Sequence, residues 1–433
     1  MSLAIQLLLS LSLLIVLHEL GHFIPARLFK TRVEKFYLFF DPWFSLFKVK
    51  KGGTEYGIGW LPLGGYVKIS GMIDESMDKE QMKKPPQPWE FRSKPAWQRL
   101  IIMTGGVIVN LLLGVIIYAM VLFTWGKETL PPENATYGIA CDSLALEIGF
   151  KNGDKIVSAD GEPIKHLARL PIHIILDGAK TIEVIRDGKP HQIQILPQHV
   201  SRLIQVNKKG PFVVARFPAE IDSLLPGYNA EKAGLQKGDL IIAVDSTPTP
   251  YYQDVARLIH KNKGKEVSFT LVRNNDTLQK SVFVNPDSLT GFKPNEEKYL
   301  KYQKVTYSFW GSFPAGIEEG LDKIRLQVKQ IVVLFTVDEA YKSLGGFYSF
   351  AQVFDPNWNW QVFWTFTAFL SIVLAFMNIL PIPALDGGHV MFLLYEIITG
   401  RKPNEKFMEY AQYAGMLLLL ALMLYANTDW FRR

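Results

Sequence analysis

Residues 3–22 read LAIQLLLSLSLLIVLHELGH, an uncharged apolar run that ends in the pattern H-E-x-x-H. The run predicts a membrane-spanning helix, and ionisable side chains inside a membrane are costly unless they have a partner. On a helix, His18 and His22 share one face and can bind one metal ion together. Glu19 lies one step around the helix, where it can take a proton from a metal-bound water. The stretch therefore predicts a zinc site within a membrane span.

The composition indicates a membrane protein with a soluble part. Of the 433 residues, 48% are hydrophobic and 20% are charged. The single cysteine, Cys141, excludes an intramolecular disulfide framework and a cysteine-rich zinc site. The formal net charge of +6 does not favour a nucleic-acid partner, because the basic residues are spread along the chain and many of them flank the apolar stretches.

Four apolar stretches, each near the roughly 20 residues that a span requires, predict four transmembrane helices. Many Lys and Arg residues lie between the first two stretches and in the short loop around Arg401. By the positive-inside rule we expect both loops in the cytoplasm. The N-terminus, the long stretch 126–358 and the C-terminus are then expected outside.

The long outer stretch contains an internal repeat. The run GFKNGDKI at 149–156 is echoed by GLQKGDLI at 234–241, and the match continues through Asp160 and Asp245. A fixed offset of this kind predicts two copies of one domain, each with a helix end, a Gly-Asp turn and an apolar strand. The pattern resembles PDZ domains, which accept extended peptides by strand addition. Peptide capture and simple exclusion of bulky molecules both remain open as roles for the pair.

A third metal ligand is expected from NILPIPALDGGH at 378–389. Pro381 and Pro383 must break the third predicted span, and a broken backbone at membrane depth is tolerated only beside protein or a water-lined cavity. A catalytic zinc commonly has three protein ligands and an open fourth position. We favour Asp386 as the third ligand because it lies near the break, and His389 is the rival.

Three further segments carry patterns that predict local structure. TEYGIGWLPLGGYVKI at 54–69 predicts a short hairpin with a sharp turn, whose exposed edge is able to pair with an extended strand. Gly105-Gly106-x-x-x-Asn110 in the second span favours close helix packing. Apolar residues at helical spacing within 314–336 predict either an amphipathic helix on the membrane face or a plain packing helix.

Together, H-E-x-x-H in an early span and N-x-x-P-x-P-x-L-D-G in a late span resemble the site-2 protease family of intramembrane zinc metalloproteases. The layout is similar to that of bacterial members with four spans and two PDZ domains. The resemblance implies Zn²⁺ as cofactor, with His18, His22 and Asp386 as ligands and Glu19 as the catalytic acid/base. It also implies that Asn378 helps to hold substrate, although a helix–helix hydrogen bond is the equal alternative.

The resemblance further implies that 54–69 is a membrane-entering β-hairpin, with Gly57 and Gly59 contacting the substrate. Its implied substrates are single-span membrane proteins, such as anti-sigma factors, and remnant signal peptides, cut within the bilayer after a first extracytoplasmic cleavage. The implied location is the bacterial inner membrane, with the active site towards the cytoplasm, PDZ-like domains outside and a single chain as the working unit.

The expected fold is a multi-span α-helical membrane protein with a membrane-associated β-hairpin and two extracytoplasmic PDZ-like α/β domains. Its expected segments, in chain order, are the first transmembrane helix (1–29), a cytoplasmic loop with the hairpin (30–98), the second transmembrane helix (99–125), the two PDZ-like domains (126–205 and 206–300), an amphipathic membrane-surface segment (301–358), the third transmembrane helix with the LDG motif (359–405), and the fourth transmembrane helix with a C-terminal tail (406–433).

Two other classes of protein share some of these features. One is a membrane scaffold that displays PDZ-like domains and uses zinc only structurally. The other is a transporter with a broken helix and polar groups at the midplane. The presence of Glu19 argues against the scaffold, because a glutamate that does not bind the metal has no structural role in lipid. The large insert between spans, and the lack of a visible inverted repeat of spans in the sequence, argue against the transporter.

Overall fold

The computed structural model describes residues 3–62, 64–72, 85–206, 211–287, 289–355 and 357–428. Leu63 of the predicted hairpin, residues 73–84 of the predicted cytoplasmic loop and residues 429–433 of the predicted tail lie outside this range. The chain forms two compact units, and the membrane unit comprises Met1–Gly126, Thr306–Val328 and Leu344–Arg433. The repeat unit comprises Lys127–Val305 and Lys329–Ser343.

The α-helices in the described part of the chain are α1 (Leu3–Leu28), α2 (Ala96–Trp125), α3 (Ser143–Ile148), α4 (Leu170–Ile175), α5 (Pro197–Val206), α6 (Asn229–Lys232), α7 (Tyr252–Lys261), α8 (Glu296–Tyr299), α9 (Phe309–Thr336), α10 (Phe347–Ala351), α11 (Trp360–Ile379), α12 (Asp386–Thr399) and α13 (Glu405–Asn427). The strands are β1 (Val33–Leu38), β2 (Phe40–Lys51), β3 (Thr54–Leu61), β4 (Tyr66–Ile69), β5 (Lys127–Thr129), β6 (Ile139–Cys141), β7 (Lys155–Ala159), β8 (Glu162–Pro163), β9 (Thr181–Arg186), β10 (Lys189–Gln194), β11 (Val213–Ala215), β12 (Ile221–Leu224), β13 (Leu240–Val244), β14 (Thr247–Pro248), β15 (Glu266–Arg273), β16 (Asp276–Phe283), β17 (Phe292–Pro294) and β18 (Gln303–Val305).

Four helices of the membrane unit are long and apolar enough to cross a membrane, counted over the residues that the structure describes. They are α1, α2, α11 and the Lys406–Asn427 part of α13. A helix satisfies all its backbone hydrogen bonds internally, which is what hydrocarbon requires of a single span. The prediction of a multi-span α-helical protein is therefore confirmed.

The third span ends where the two prolines require it to end. Helix α11 stops at Ile379, and α12 begins at Asp386 after a non-helical segment, 380–385. Within this segment Ala384 has a φ of 76°, a left-handed conformation that is uncommon for a residue with a side chain. The break thus delivers Asp386 at the first turn of a new helix.

The hairpin predicted at 54–69 is wrong in its pairing. The sheet has the strand order β2-β3-β1-β4, so β3 and β4 lie on opposite sides of β1 and do not pair with each other. The true hairpin joins β2 to β3 through Gly52 and Gly53, which both have positive φ. Two consecutive residues with positive φ are what a tight two-residue hairpin turn demands. The membrane unit therefore contains a four-stranded sheet with β2 and β4 as its edges.

Helix α9 includes the segment 314–336 that was predicted to be helical. Its Gly316 and Gly320 face α2, where an added side chain would meet Ala119 and Val115. The predicted apolar stripe is only partly covered, and Leu321 and Val328 are each about half exposed, at 48% and 49%. Within the membrane unit, α9 packs on a span and also presents an apolar face.

The repeat unit contains two four-stranded sheets of the same topology, in the orders β8-β7-β9-β10 and β14-β13-β15-β16. Each sheet has its own apolar core: one includes Phe150 and Ile182, and the other includes Val255 and Phe269. The internal repeat predicted from the sequence is therefore confirmed as a repeat of strand order.

The repeat extends to one buried ion pair in each copy. Asp154 and Asp239, the aspartates of the two Gly-Asp turns, are fully buried and accept two hydrogen bonds each from Arg186 and Arg273, at 2.7–2.8 Å. Each arginine also donates to the carbonyl oxygen of the glycine that ends the preceding helix. The pairs connect the turn to β9 in the first sheet and to β15 in the second, and they satisfy charges that burial would otherwise make costly.

Replacing Arg186 with glutamine should open the first repeat locally. The change leaves the Asp154 carboxylate buried and unpaired, at a cost of about 3 kcal/mol or more. Cys141, the only cysteine, belongs to this repeat and reports its opening through the rate of maleimide labelling in the full-length protein. Burial raises the pKa of the Cys141 thiol to about 12, so the folded state labels slowly. We expect R186Q to label at least about tenfold faster.

The matched control is R273Q, which breaks the equivalent pair in the second repeat and should change Cys141 labelling less than twofold. A change in the Cys141 pKa cannot account for faster labelling. Arg186 lowers the pKa of this thiol, so removing Arg186 would raise the pKa and slow labelling of the folded state. Unchanged labelling in R186Q would contradict the role given to the ion pair.

Candidate metal centre

His18 and His22 of α1 converge with Asp386 of α12. The Nε2 atoms of the two imidazoles are 3.2 Å apart, and each lies 3.3 Å from Oδ2 of Asp386. The three side chains are largely buried, with exposed fractions between 8% and 16%. Over the residues that the structure describes, these three form the group of His, Cys, Asp and Glu side chains able to hold a metal ion.

These distances match the donor spacing of a tetrahedral zinc site. Zinc bonds of about 2.0 Å place any two of its ligand atoms roughly 3.3 Å apart. Asp386 Oδ2 is buried and has no hydrogen-bond partner of good geometry among the described residues. A buried carboxylate oxygen without such a partner is unfavourable, and a cation between the three donors satisfies it. Two imidazole nitrogens and one carboxylate oxygen also form a donor set that zinc accepts, with a fourth position open.

Helix α2 orients both imidazoles. Nδ1–H of His22 donates to the carbonyl oxygen of Ile102 at 2.8 Å, which leaves Nε2 free to bind a metal. The amide of Asn110 lies 3.3 Å from Nδ1 of His18, while its own Oδ1 has no partner among the described residues. Turning this amide by 180° places Oδ1 against Nδ1–H of His18 and satisfies both groups. His18 and His22 are then held in the same tautomer.

Glycines allow α2 to approach close enough to provide these contacts. A side chain at Gly105 would collide with the carbonyl oxygen of Gly21 on α1, at 1.9 Å. A side chain at Gly106 would lie 2.4 Å from Nε2 of His22 and 2.6 Å from Cε1 of His18. The backbone of α2 therefore lies directly against the two imidazole rings.

Glu19 and Asn378 lie beside the three converging side chains. Glu19 is 9% exposed, and its Cγ is 3.4 Å from the position that a Cβ of Gly65, just before β4, would take. Nδ2 of Asn378, at the end of α11, is 3.4 Å from Nε2 of His18. The site thus has a carboxylate and an amide next to the metal position in addition to the three donors.

The remaining predicted residues lie elsewhere. His389 is outside the group of three, and its Nε2 lies 3.1 Å from the side-chain amide of Gln412 on α13. Gly57 is paired on both sides within the sheet, to Tyr37 of β1 and Lys48 of β2. A side chain at Gly59 would meet the carbonyl oxygen of Phe40 at 2.1 Å. Gly57 and Gly59 lie on β3, which is an inner strand, so the exposed edge predicted within 54–69 is not at these two residues; β4, at the end of the same segment, is an edge strand.

Comparison with known proteins places this geometry in a family. The model of peptidase family M50 matches residues 6–422. The chain belongs to peptidase family M50. Similar proteins include protease RseP of Yersinia pestis and regulator of sigma-E protease RseP of Escherichia coli K12, each 30% identical over 441 residues that cover 96% of this chain and 95% of the relative. A Neisseria meningitidis protein named as a zinc metalloprotease is 28% identical over 445 residues, which cover 95% of this chain and 94% of the relative.

This M50 peptidase is a zinc metalloprotease, and the predictions of enzyme class and of Zn²⁺ as cofactor are confirmed. It is also a multi-pass membrane protein by its four long apolar helices. The roles of the individual residues stay predictions, and the short distances between the His18, His22 and Asp386 donor atoms are the physical support for them.

The sequence interpretation missed three contributors to the site of this M50 peptidase. Asn110 was assigned only to helix packing, although its amide reaches His18. Gly65 was included only as part of the hairpin predicted at 54–69, although it lies against Glu19. Gln412 was not singled out at all. For Asn110 and Gln412 the available signal was a polar amide inside an apolar span, which by itself marks a candidate functional residue.

Replacing Gly106 with alanine should weaken zinc binding. The new methyl group occupies the space of the imidazole rings, whose positions are fixed by α1 and by the hydrogen bond to Ile102. We expect at least about a tenfold loss of zinc affinity, measured by chelator competition on the purified protein.

The control for this prediction is G114A on the same helix. There the added methyl meets Cδ1 and Cγ1 of Ile372 at 2.7 and 2.8 Å and the carbonyl oxygen of Ala368 at 3.2 Å, all on α11 and none belonging to the imidazole rings. G114A should keep zinc affinity within about threefold of the unmodified protein. Equal zinc affinities in the two variants would contradict the close approach of α2 to the rings.

Proposed function

We propose that this M50 peptidase cleaves peptide bonds within the transmembrane segments of single-span proteins. The observation that supports this most directly is the convergence of His18, His22 and Asp386 among helices long enough to span a membrane. A metal site among membrane-spanning helices is accessible to substrates that lie in the same bilayer. Soluble peptide substrates would have to leave water to reach it, which disfavours them.

In this proposal His18, His22 and Asp386 hold the zinc, and Glu19 is the general base and then the general acid. Zinc, when bound, lowers the pKa of a coordinated water and polarises the scissile carbonyl group. Glu19 takes a proton from the attacking water as its oxygen bonds to the carbonyl carbon. As the C–N bond breaks, Glu19 returns that proton to the leaving amine. In the same proposal Asn378 holds the substrate backbone through its amide.

The substrate must be extended at the site, because a helix uses its own carbonyl groups in hydrogen bonds. An edge strand offers unpaired backbone groups that can hold an extended segment. In the sheet order, β4 is an edge strand with β1 as its neighbour among the described strands, and Gly65 just before it lies against Glu19. We propose that β4 takes the role that the sequence had suggested for Gly57 and Gly59, which then support the sheet from an inner strand.

The segment boundaries and the orientation predicted from the sequence complete the proposal. The repeat unit would be a pair of PDZ-like domains outside the bacterial inner membrane, with the metal site towards the cytoplasmic side. The substrates would be regulatory single-span proteins of the anti-sigma-factor type, shortened by a first extracytoplasmic cut, and remnant signal peptides. The name of the Escherichia coli relative, regulator of sigma-E protease RseP, supports the regulatory class. The working unit would be a single chain in the lipid bilayer.

The decisive experiment uses a short single-span reporter without an outer domain, in cells that make either the unmodified chain or E19Q. We expect cleavage only with the unmodified chain, and its arrest by a membrane-permeable chelator. Glu19 is not among the three converging donors, so E19Q should still bind zinc. Equal cleavage by the two chains would remove Glu19 from the mechanism. A loss of zinc from E19Q would make it a ligand instead.

A second reporter series tests the substrate class. The same transmembrane segment is given outer domains of increasing size, and cleavage by the unmodified chain is measured by immunoblot. We expect the shortest reporter to be cut and a reporter with a folded outer domain of about 100 residues to be cut at least tenfold more slowly, because bulky outer domains are excluded. Cleavage that is independent of outer-domain size would contradict the requirement for a first cut.

A further inference from the structure

The segment 380–385 that precedes Asp386 is held by α13, the last span. Gln412 of α13 is buried, with 5% of its surface exposed. Its Oε1 accepts a hydrogen bond from the backbone N–H of Ala384 at 3.2 Å, and its Nε2 lies 3.1 Å from Nε2 of His389. One side chain from α13 thus contacts the chain two residues before Asp386 and three residues after it.

The hydrogen bond to Ala384 acts on a strained point of the backbone. Ala384 has a φ of 76°, and a residue with a side chain keeps this strained conformation only where its surroundings hold it there. The residue is followed by Leu385 and then by Asp386, so its conformation sets the direction in which α12 begins. Without the Gln412 oxygen, the Ala384 N–H would lose the hydrogen-bond partner that the structure gives it.

A second contact from α13 lies one turn further along that helix. A Cβ at Gly415 would be 1.9 Å from the carbonyl oxygen of Pro383 and 2.5 Å from its carbonyl carbon. These are backbone atoms, which cannot move aside as the end of a flexible side chain can. Gly415 and Gln412 therefore contact consecutive residues of the broken segment, Pro383 and Ala384.

We propose that Gln412 and Gly415 are positioning residues that hold Asp386 in place for metal binding. The inference rests on the proposed function of Asp386 as a zinc ligand. Gln412 fixes both sides of the Asp386 turn, and Gly415 lets α13 come close enough for that contact. A buried amide in an apolar span is unfavourable unless it has partners. The contacts of Gln412 with Ala384 and His389, on either side of Asp386, provide such partners. Residues of this kind change metal affinity by about 10- to 100-fold when removed.

The experiment measures zinc affinity of the purified full-length protein by chelator competition, and cleavage of the short reporter with and without excess zinc. Q412M keeps the size of the side chain and removes both polar contacts, whereas Q412E keeps an acceptor oxygen for Ala384. G415A adds one methyl group against Pro383. The controls are L417M and A414S, which make changes of similar size at exposed positions of the same helix.

We expect Q412M and G415A to bind zinc about 10- to 100-fold more weakly, with Q412E between Q412M and the unmodified protein. Excess zinc should restore cleavage by Q412M, because Glu19, His18 and His22 are unchanged. L417M and A414S should behave like the unmodified protein. If Q412M and G415A keep the zinc affinity of the controls, or lose cleavage without losing zinc, the positioning role is overturned. A Q412M chain that fails to fold leaves the Q412E and G415A comparisons to decide.

D386N separates this inference from the proposed ligand set. Loss of the ligand should weaken zinc binding beyond any Gln412 variant and should not be restored by excess zinc. If D386N binds zinc as tightly as the unmodified protein, the ligand set itself is wrong. If D386N loses zinc and Q412M does not, only the positioning role fails.

Discussion

Three ionisable side chains meet among apolar helices, and the need to satisfy them constrains how the surrounding helices pack. In hydrocarbon an imidazole or a carboxylate without a partner is expensive, and Asp386 Oδ2 has no hydrogen-bond partner of good geometry among the described residues. A zinc ion that binds both imidazoles and the carboxylate removes this cost at one point. Metal affinity depends on how precisely the three donors are fixed. The surrounding structure must therefore hold each ring and the carboxylate to within about 0.5 Å.

The protein achieves this fixation mainly with backbone rather than with side chains. Helix α2 presents the Ile102 carbonyl to His22 and brings bare glycine backbone against both rings. On the other side, α11 is broken by prolines, so Asp386 begins a new helix instead of continuing the old one. Backbone atoms are attached to whole helices and cannot change rotamer. A site held in this way keeps its geometry unless a helix moves.

The sequence predicted what depends on local pattern. Spacing of His18 and His22, apolar length, the proline break and the repeated Gly-Asp turn are all visible over short windows, and each has its counterpart in the structure. The pairing of β1 with β3 and β4 is not local, and the run at 54–69 was therefore wrongly folded onto itself. The actual turn, Gly52-Gly53, lay just outside that window. The environments of Asn110 and Gln412 depend on how distant helices pack, so the sequence could mark them only as polar residues in apolar spans.

The converging side chains come from opposite ends of the chain, and this has a consequence for biogenesis. His18 and His22 are synthesised first, whereas Asp386 and Gln412 follow the second span, the whole repeat unit and the third span. On the proposed ligand set, a nascent chain has only two donors for its metal until almost all of it has been translated. On that ligand set, the chain would have no complete metal site while its later spans are still being synthesised. With Asp386 on α12 as a ligand and Gln412 on α13 as its positioning residue, cleavage would require both late helices, so a partly synthesised chain would not cleave neighbouring nascent proteins.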